Sequence, residues 1–298
     1  MKRNIYSYSK LWMIFFVLMG AACTNQVEDA IPVSGQPIEF SVLSDWKEIP
    51  NTRLNDGKTQ FKDSDSIQIF GFHKSLSGEV KKFMYRVNEP ARGQKVGFDG
   101  KDWNYSPKRF WPKEGTLDFY ASYPDYSVLN EEDKMTYVQP DFNPLGVDLL
   151  WGLATDRNCA KAEIVPIWMV HALAKVNIFF DSSLGDIKKV IVSAYKAGYF
   201  SIAADNGVPI WSIDDKKGFQ EATFESSSKI YDVTVFILPE KITGLKLIFD
   251  DKVIDASEEI KKHTFEAGKV YNLTISKGVQ KKNTNSRSIA MSVRCVSE

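Results

Sequence analysis

The chain has 298 residues, 43% of them hydrophobic, and its 38 basic side chains balance 38 acidic ones, for a formal net charge of zero. That balance argues against nucleic acid or an acidic membrane surface as the main partner. The hydrophobic content suffices for a full core, and the length suits two ordinary domains or one large β domain. Aromatic residues make up 13% of the chain, rich in Trp and Tyr, which suits sheets.

The chain opens with Lys2, Arg3 and Lys10, then an apolar run from Leu11 to Met19, then Gly20-Ala21-Ala22 and Cys23. A basic end, a short apolar core and small residues at the cut are the three parts of an export signal. The apolar run is about half of the roughly 20 residues that a membrane-spanning helix needs. Small residues directly before Cys23 resemble the lipobox of lipoprotein precursors, although Gly20 stands where that pattern prefers Leu. The expectation is a cleaved signal peptide over residues 1–22, with Cys23 lipidated. No Asp follows Cys23, so nothing there argues for retention in an inner membrane, and display at the outer membrane or cell surface is expected. Residues 23–36, polar and Pro/Gly-bearing, read as a tether.

The body reads as strands. Ile38, Phe40 and Val42 alternate with Glu39 and Ser41, and Leu117, Phe119, Ala121 and Tyr123 alternate with Asp118, Tyr120 and Ser122. Val176, Ile178 and Phe180 share a face; so do Tyr231, Val233, Val235 and Ile237, then Leu245, Leu247 and Phe249, then Tyr271, Leu273 and Ile275. Period-two alternation predicts one buried face and one wet face. Turn clusters separate the runs at Asn55-Asp56-Gly57, Asp99-Gly100, Asp205-Asn206-Gly207 and Asp250-Asp251. Short strands between turn signals predict sandwiches. No amphipathic helix longer than two turns follows the signal. A boundary near Asn158–Glu163 divides the body into sandwiches over 37–160 and 161–276. Residues 277–298 then give a polar linker and a last strand, in which Ile289, Met291, Val293 and Cys295 alternate with Ala290, Ser292 and Arg294.

Chemistry-bearing motifs are scarce. There is no G-x-S-x-G elbow, P-loop, dinucleotide fingerprint or H-E-x-x-H, so neither an enzyme nor a cofactor is expected. The three histidines, His73, His171 and His263, lie far apart in sequence; His171 sits in an apolar strand and reads as a core or interface residue. Asp63-Ser64-Asp65 reads as a turn, since no calcium loop follows it, and no metal site is expected. Trp46, Trp103, Trp111 and Trp211 are sugar-stacking candidates, with packing the favoured role for Trp103 and Trp111. An oxidising compartment permits a Cys159–Cys295 disulfide; two buried free thiols are the other reading, and the favoured one.

A series of segments gives a resemblance. Asp65-Ser66-Ile67-Gln68-Ile69-Phe70, Trp103-Asn104-Tyr105-Ser106-Pro107, Phe110-Trp111-Pro112, the run Leu117 to Pro124, Asp148-Leu149-Leu150-Trp151-Gly152, the run Val170 to Val176 and the run Ala267 to Leu273 appear in this order. Together they resemble fimbrillins, the subunits of type V pili, over roughly Gln36 to Ser276. The resemblance implies an all-β chain of two transthyretin-like antiparallel β-sandwich domains, exported as a lipoprotein and assembled into a fimbrium. In many such proteins an arginine-specific protease removes the first strand, and the opened groove accepts a strand from the next subunit. Arg53 is the only arginine between Cys23 and Arg86 and is the processing candidate; an ordinary exposed side chain is its other reading. Ile289, Met291, Val293 and Cys295 mark the candidate donor strand, which otherwise completes its own sheet. The expected role is a structural or adhesive pilus subunit, whether stalk, tip or anchor. Its expected partners are other fimbrillin subunits, the outer membrane through the lipid, and surface glycans or proteins. The alternative is a glycan-binding outer-membrane lipoprotein on the same scaffold.

Overall fold

A computed structural model of the chain describes residues 31–44, 61–124, 127–130, 133–138, 148–202 and 209–277, and the backbone of 291–297. The expected signal over 1–22, Cys23, Trp46, Arg53, Ile289 and the turns at 55–57 and 205–207 lie outside the described residues.

In chain order the first half contributes β1 (Val33–Pro37), β2 (Phe40–Ser44), β3 (Ser66–Lys74), β4 (Val80–Met84), β5 (Gln94–Phe98), β6 (Trp103–Asn104), β7 (Phe110–Pro112), β8 (Thr116–Tyr123), β9 (Val128–Leu129), β10 (Lys134–Val138), β11 (Leu150–Asn158) and β12 (Val165–His171). The second contributes β13 (Ala174–Phe180), β14 (Lys189–Tyr195), β15 (Ala197–Ser201), β16 (Trp211–Ile213), β17 (Phe219–Glu225), β18 (Asp232–Ile237), β19 (Ile242–Ile248), β20 (Val253–Asp255), β21 (Val270–Lys277) and β22 (Met291–Ser297). One helical turn, α1 (Ser257–Ile260), follows β20.

The molecule is all-β. Its largest sheet runs β2-β12-β11-β8-β3-β5-β6, with β4 also on β3. The sheet curls until its two ends approach, and the Phe40 ring meets Tyr105 at 5.9 Å and Phe119 at 5.3 Å across the enclosed core. The second half is a sandwich of β18-β13-β21-β22 against β17-β14-β19-β20. The ladders are antiparallel except β2–β12 and β13–β21, which are parallel.

The sequence reading places a division after residue 160. That position falls between β11 and β12, which are antiparallel neighbours, so the first sheet runs on to His171. Likewise the expected tether ends in structure: β1 pairs with β7 although every side chain of Val33–Pro37 is exposed. A strand held by backbone bonds alone leaves no hydrophobic period to read.

A smaller sheet, β16-β15-β10-β9, draws strands from both halves. It covers the outer face of the large sheet through Trp151, which meets Phe200 at 4.9 Å; Phe200 in turn meets Trp211 at 4.9 Å. The cover explains a departure from the expected wet face of β8. Ser122 is fully buried and Tyr120, 6.0 Å from Trp151, is half-buried, because β8 lies between two cores. Beneath it, Gln68 satisfies its amide internally, donating to Ser122 Oγ at 2.8 Å and the Ser127 carbonyl at 2.9 Å and accepting from Gly93 N. Tyr231 departs the other way: it precedes β18 and is exposed, while Val233, Val235 and Ile237 are buried as expected.

Local signals match the turns. Asp99 Oδ1 accepts from the amides of Lys101 and Asp102, and Gly100 takes φ +90°. Asp65 Oδ2 accepts from Lys62 N, closing the turn at Asp63–Ser64. Trp103 and Trp111 pack in the first core, and Trp211 is half-buried with its indole N–H donated to the Ala172 carbonyl.

Candidate strand-exchange site

Strand β2 is the edge of the large sheet, and its sequence explains its place. Ile38, Phe40 and Val42 face the first core and are buried, while Glu39 and Ser41 face outward. Among the described residues one side of β2 is paired, with Phe40–Ser44 running parallel to Val165–Met169. At its start a clamp holds the backbone. Ile38 N donates to the Arg109 carbonyl at 2.9 Å, and the Tyr105 hydroxyl donates to the Ile38 carbonyl at 2.8 Å. Burial pushes the Tyr105 hydroxyl pKa up to about 12, so it stays a donor at ordinary pH.

Magnitudes show what β2 is worth. Burying a large apolar side chain stabilises by about 1.5–3 kcal/mol, so Phe40 and Val42, with Ile38 just before the strand, contribute roughly 5–9 kcal/mol. A whole domain is stable by about 5–15 kcal/mol. A sheet stripped of β2 therefore keeps an apolar groove along β12 and orphaned backbone groups, and a strand of like pattern satisfies both.

At the other end of the molecule β22 is also an edge strand. It pairs antiparallel with β21, Val293 opposite Ile275 and Cys295 opposite Leu273. Of the two readings of the terminal strand, this structure has it completing its own sheet. The register sets Met291, Val293 and Cys295 opposite Lys277, Ile275 and Leu273. Cys159 is a free thiol buried in the first core, and burial pushes its pKa up to about 11. The permitted Cys159–Cys295 bridge is therefore not formed; Cys295 belongs to the sheet of the second half.

His171 closes β12 at the junction of the halves, its Nδ1 against the Asp148 carboxylate. Burial lowers the pKa of Lys175 there, and Asp148 partly offsets that effect. Sequence reasoning picked out β2 and β22 as strands but missed the Tyr105 clamp. Its signal was present in Trp103-Asn104-Tyr105-Ser106-Pro107, where a core-matching Tyr carries a hydroxyl that burial obliges to find a partner.

The chain is all-β, with β2 and β22 at sheet edges, and the comparisons place it in a family. The chain belongs to the fimbrillin-like family, whose model matches residues 52–290. A candidate cell adhesion protein from Bacteroides uniformis shares the fold with TM-score 0.54 and 14% identity, over 89% of this chain and 98% of its own. Another from Bacteroides ovatus does so with TM-score 0.52 and 14% identity, over 87% and 95%. The tip fimbrial protein Mfa3 of Porphyromonas gingivalis, truncated at its C-terminus, aligns at TM-score 0.41 and 9% identity over 78% of this chain and 94% of its own. No curated protein sequence matches the chain.

Proposed function

We propose that the chain is a structural, non-catalytic subunit of a cell-surface fimbrium, exported as a lipoprotein through Cys23 and assembled by strand exchange. Cleavage at Arg53 separates β1 and β2 from the body; the slot beside β12 then takes β22 of a neighbouring subunit. The observation that carries this reading is β2 itself, an edge strand that fills a core yet joins the rest of the chain only through the segment bearing Arg53. If Arg53 is cut, the acylated Cys23 leaves with the released segment. If it is not, the lipid holds the protein at the outer membrane as an anchor.

A chain ending at Ser286 tests donation. It is expected to stay folded, since β22 adds one edge strand to a complete core, and to stop joining cleaved partners in size-exclusion chromatography. A truncated chain that polymerises like the full one overturns the assignment of β22 as donor.

A further inference from the structure

The end of the chain repeats the sequence of β2. Ile38-Glu39-Phe40-Ser41-Val42 and Ile289-Ala290-Met291-Ser292-Val293 share Ile, Ser and Val at the same spacing, with Phe and Met at the same place between them. The pattern Ile-x-Phe/Met-Ser-Val occurs at these two places in the chain and at no other. A one-residue slip of a strand turns every side chain to the wrong face, and a two-residue slip or a reversed strand breaks this likeness. One way of laying the terminal segment in the slot therefore sets like on like: parallel to β12, with Ile289 at the place of Ile38 and Met291 at that of Phe40.

The slot suits a Met there. The Phe40 ring stands 5.9 Å from Tyr105 and 5.3 Å from Phe119, and Val165 and Ile167, opposite Phe40 and Val42, are buried on the same face. An unbranched thioether fills an irregular gap and packs well against ring edges.

The outer face gives an independent observation. Leu43 lies directly opposite Trp168, and both are exposed, at 55% and 54%. In the same register residue 294 takes the place of Leu43, so an arginine comes to lie beside the exposed indole. Trp is the ring that holds a cation best, and the apolar stem of Arg covers the ring while its head stays in water. Exchange thus replaces an exposed apolar pair with a cation–π pair that the resident strand lacks.

We propose that the occupant of the slot is a second copy of this chain, whose Ile289–Cys295 enters parallel to β12 in the register of Ile38–Ser44, with Arg294 over Trp168 favouring the incoming strand over the resident one. This rests on the strand-exchange reading and adds to it the partner, the direction and the register.

The test uses the full chain cut at Arg53, with the protease then inhibited, and a fluorescein-labelled peptide of residues 288–298 whose binding is followed by anisotropy. The wild-type peptide is expected to bind. In the peptide, Ile289→Asp or Met291→Asp is expected to weaken binding roughly tenfold or more, since each buries a carboxylate, whereas Cys295→Asp, at the half-buried place of Ser44, changes it less than about twofold. Arg294→Ala is expected to weaken binding about threefold to the wild-type chain and to leave unchanged the binding to a chain carrying Trp168→Ala, a change at an exposed position. Loss with Cys295→Asp but not with Ile289→Asp, as a slipped or reversed strand requires, overturns the register. No effect of Arg294→Ala, or an equal effect on both chains, overturns the Trp168 contact. Cut chains that form larger species while the peptide fails to bind overturn the terminal strand of a second copy as occupant and leave strand exchange standing. Cut chains that stay monomeric and bind no peptide overturn both.

Discussion

Phe40 carries much of what β2 contributes, through ring contacts with Tyr105 and Phe119 and near-complete burial. Phe40→Ala is expected to lower unfolding free energy by about 3–5 kcal/mol in urea titration, while outward-facing Ser41→Ala changes it by less than about 0.5 kcal/mol. Tyr105→Phe keeps the ring but leaves the buried Ile38 carbonyl without its donor, which costs about 1–3 kcal/mol. The same hydroxyl predicts a pH effect. Burial raises the pKa of Tyr105 from 10.0 to about 12, and that of Tyr120 likewise. Between pH 10 and 12 the folded state thus holds protons that the unfolded state has released, so stability is full below pH 10 and falls as pH rises through 12. Urea midpoints measured across that window should drop, and less steeply in Tyr105→Phe. Cys159 follows the same logic one step lower, from 9.0 to about 11, and its burial predicts slow labelling by a thiol reagent until the chain is denatured.

β1 and β2 are neighbours in sequence but not in stability. All side chains of β1 are exposed, whereas β2 buries its alternate residues, so amide hydrogen exchange should be fast over Val33–Pro37 and slow over Phe40–Ser44. This contrast also marks what the sequence made legible. β2 announced itself by strict alternation, as did β18 and β21, because one face of each meets a single core. β1 was read as tether because its side chains carry no pattern. β8 was read as half wet because the second layer over it comes from β10 and β15, about 60 and more residues apart, a pairing that no local period encodes. The close approach of β12 to β11 is equally non-local. A Cβ at Gly152 would lie 2.7 Å from the Trp168 carbonyl and 2.8 Å from Ile167 Cγ2, so Gly152→Ala should destabilise the large sheet and lower the urea midpoint.

The whole molecule is tied together by shared strands and a shared aromatic core, since β10 of the first half pairs with β15 of the second and Trp151 packs on Phe200. That arrangement predicts one cooperative calorimetric transition, and Trp151→Ala should lower its midpoint and split it as the halves uncouple. Against this body β2 and β22 stand at sheet edges, and among the described residues each is paired along one side. The order of motifs along the chain made the family readable before the fold was known; the direction of the β2 ladder and the Tyr105 clamp depend on contacts that close only in three dimensions. The most direct measurement is treatment of the full chain with an arginine-specific protease, followed by N-terminal sequencing and size-exclusion chromatography. The account predicts a new N-terminus at Leu54 and conversion of monomer into a series of larger species. Cutting at Arg53 that leaves only monomer, with the released segment either still bound or lost to unfolding, would contradict it.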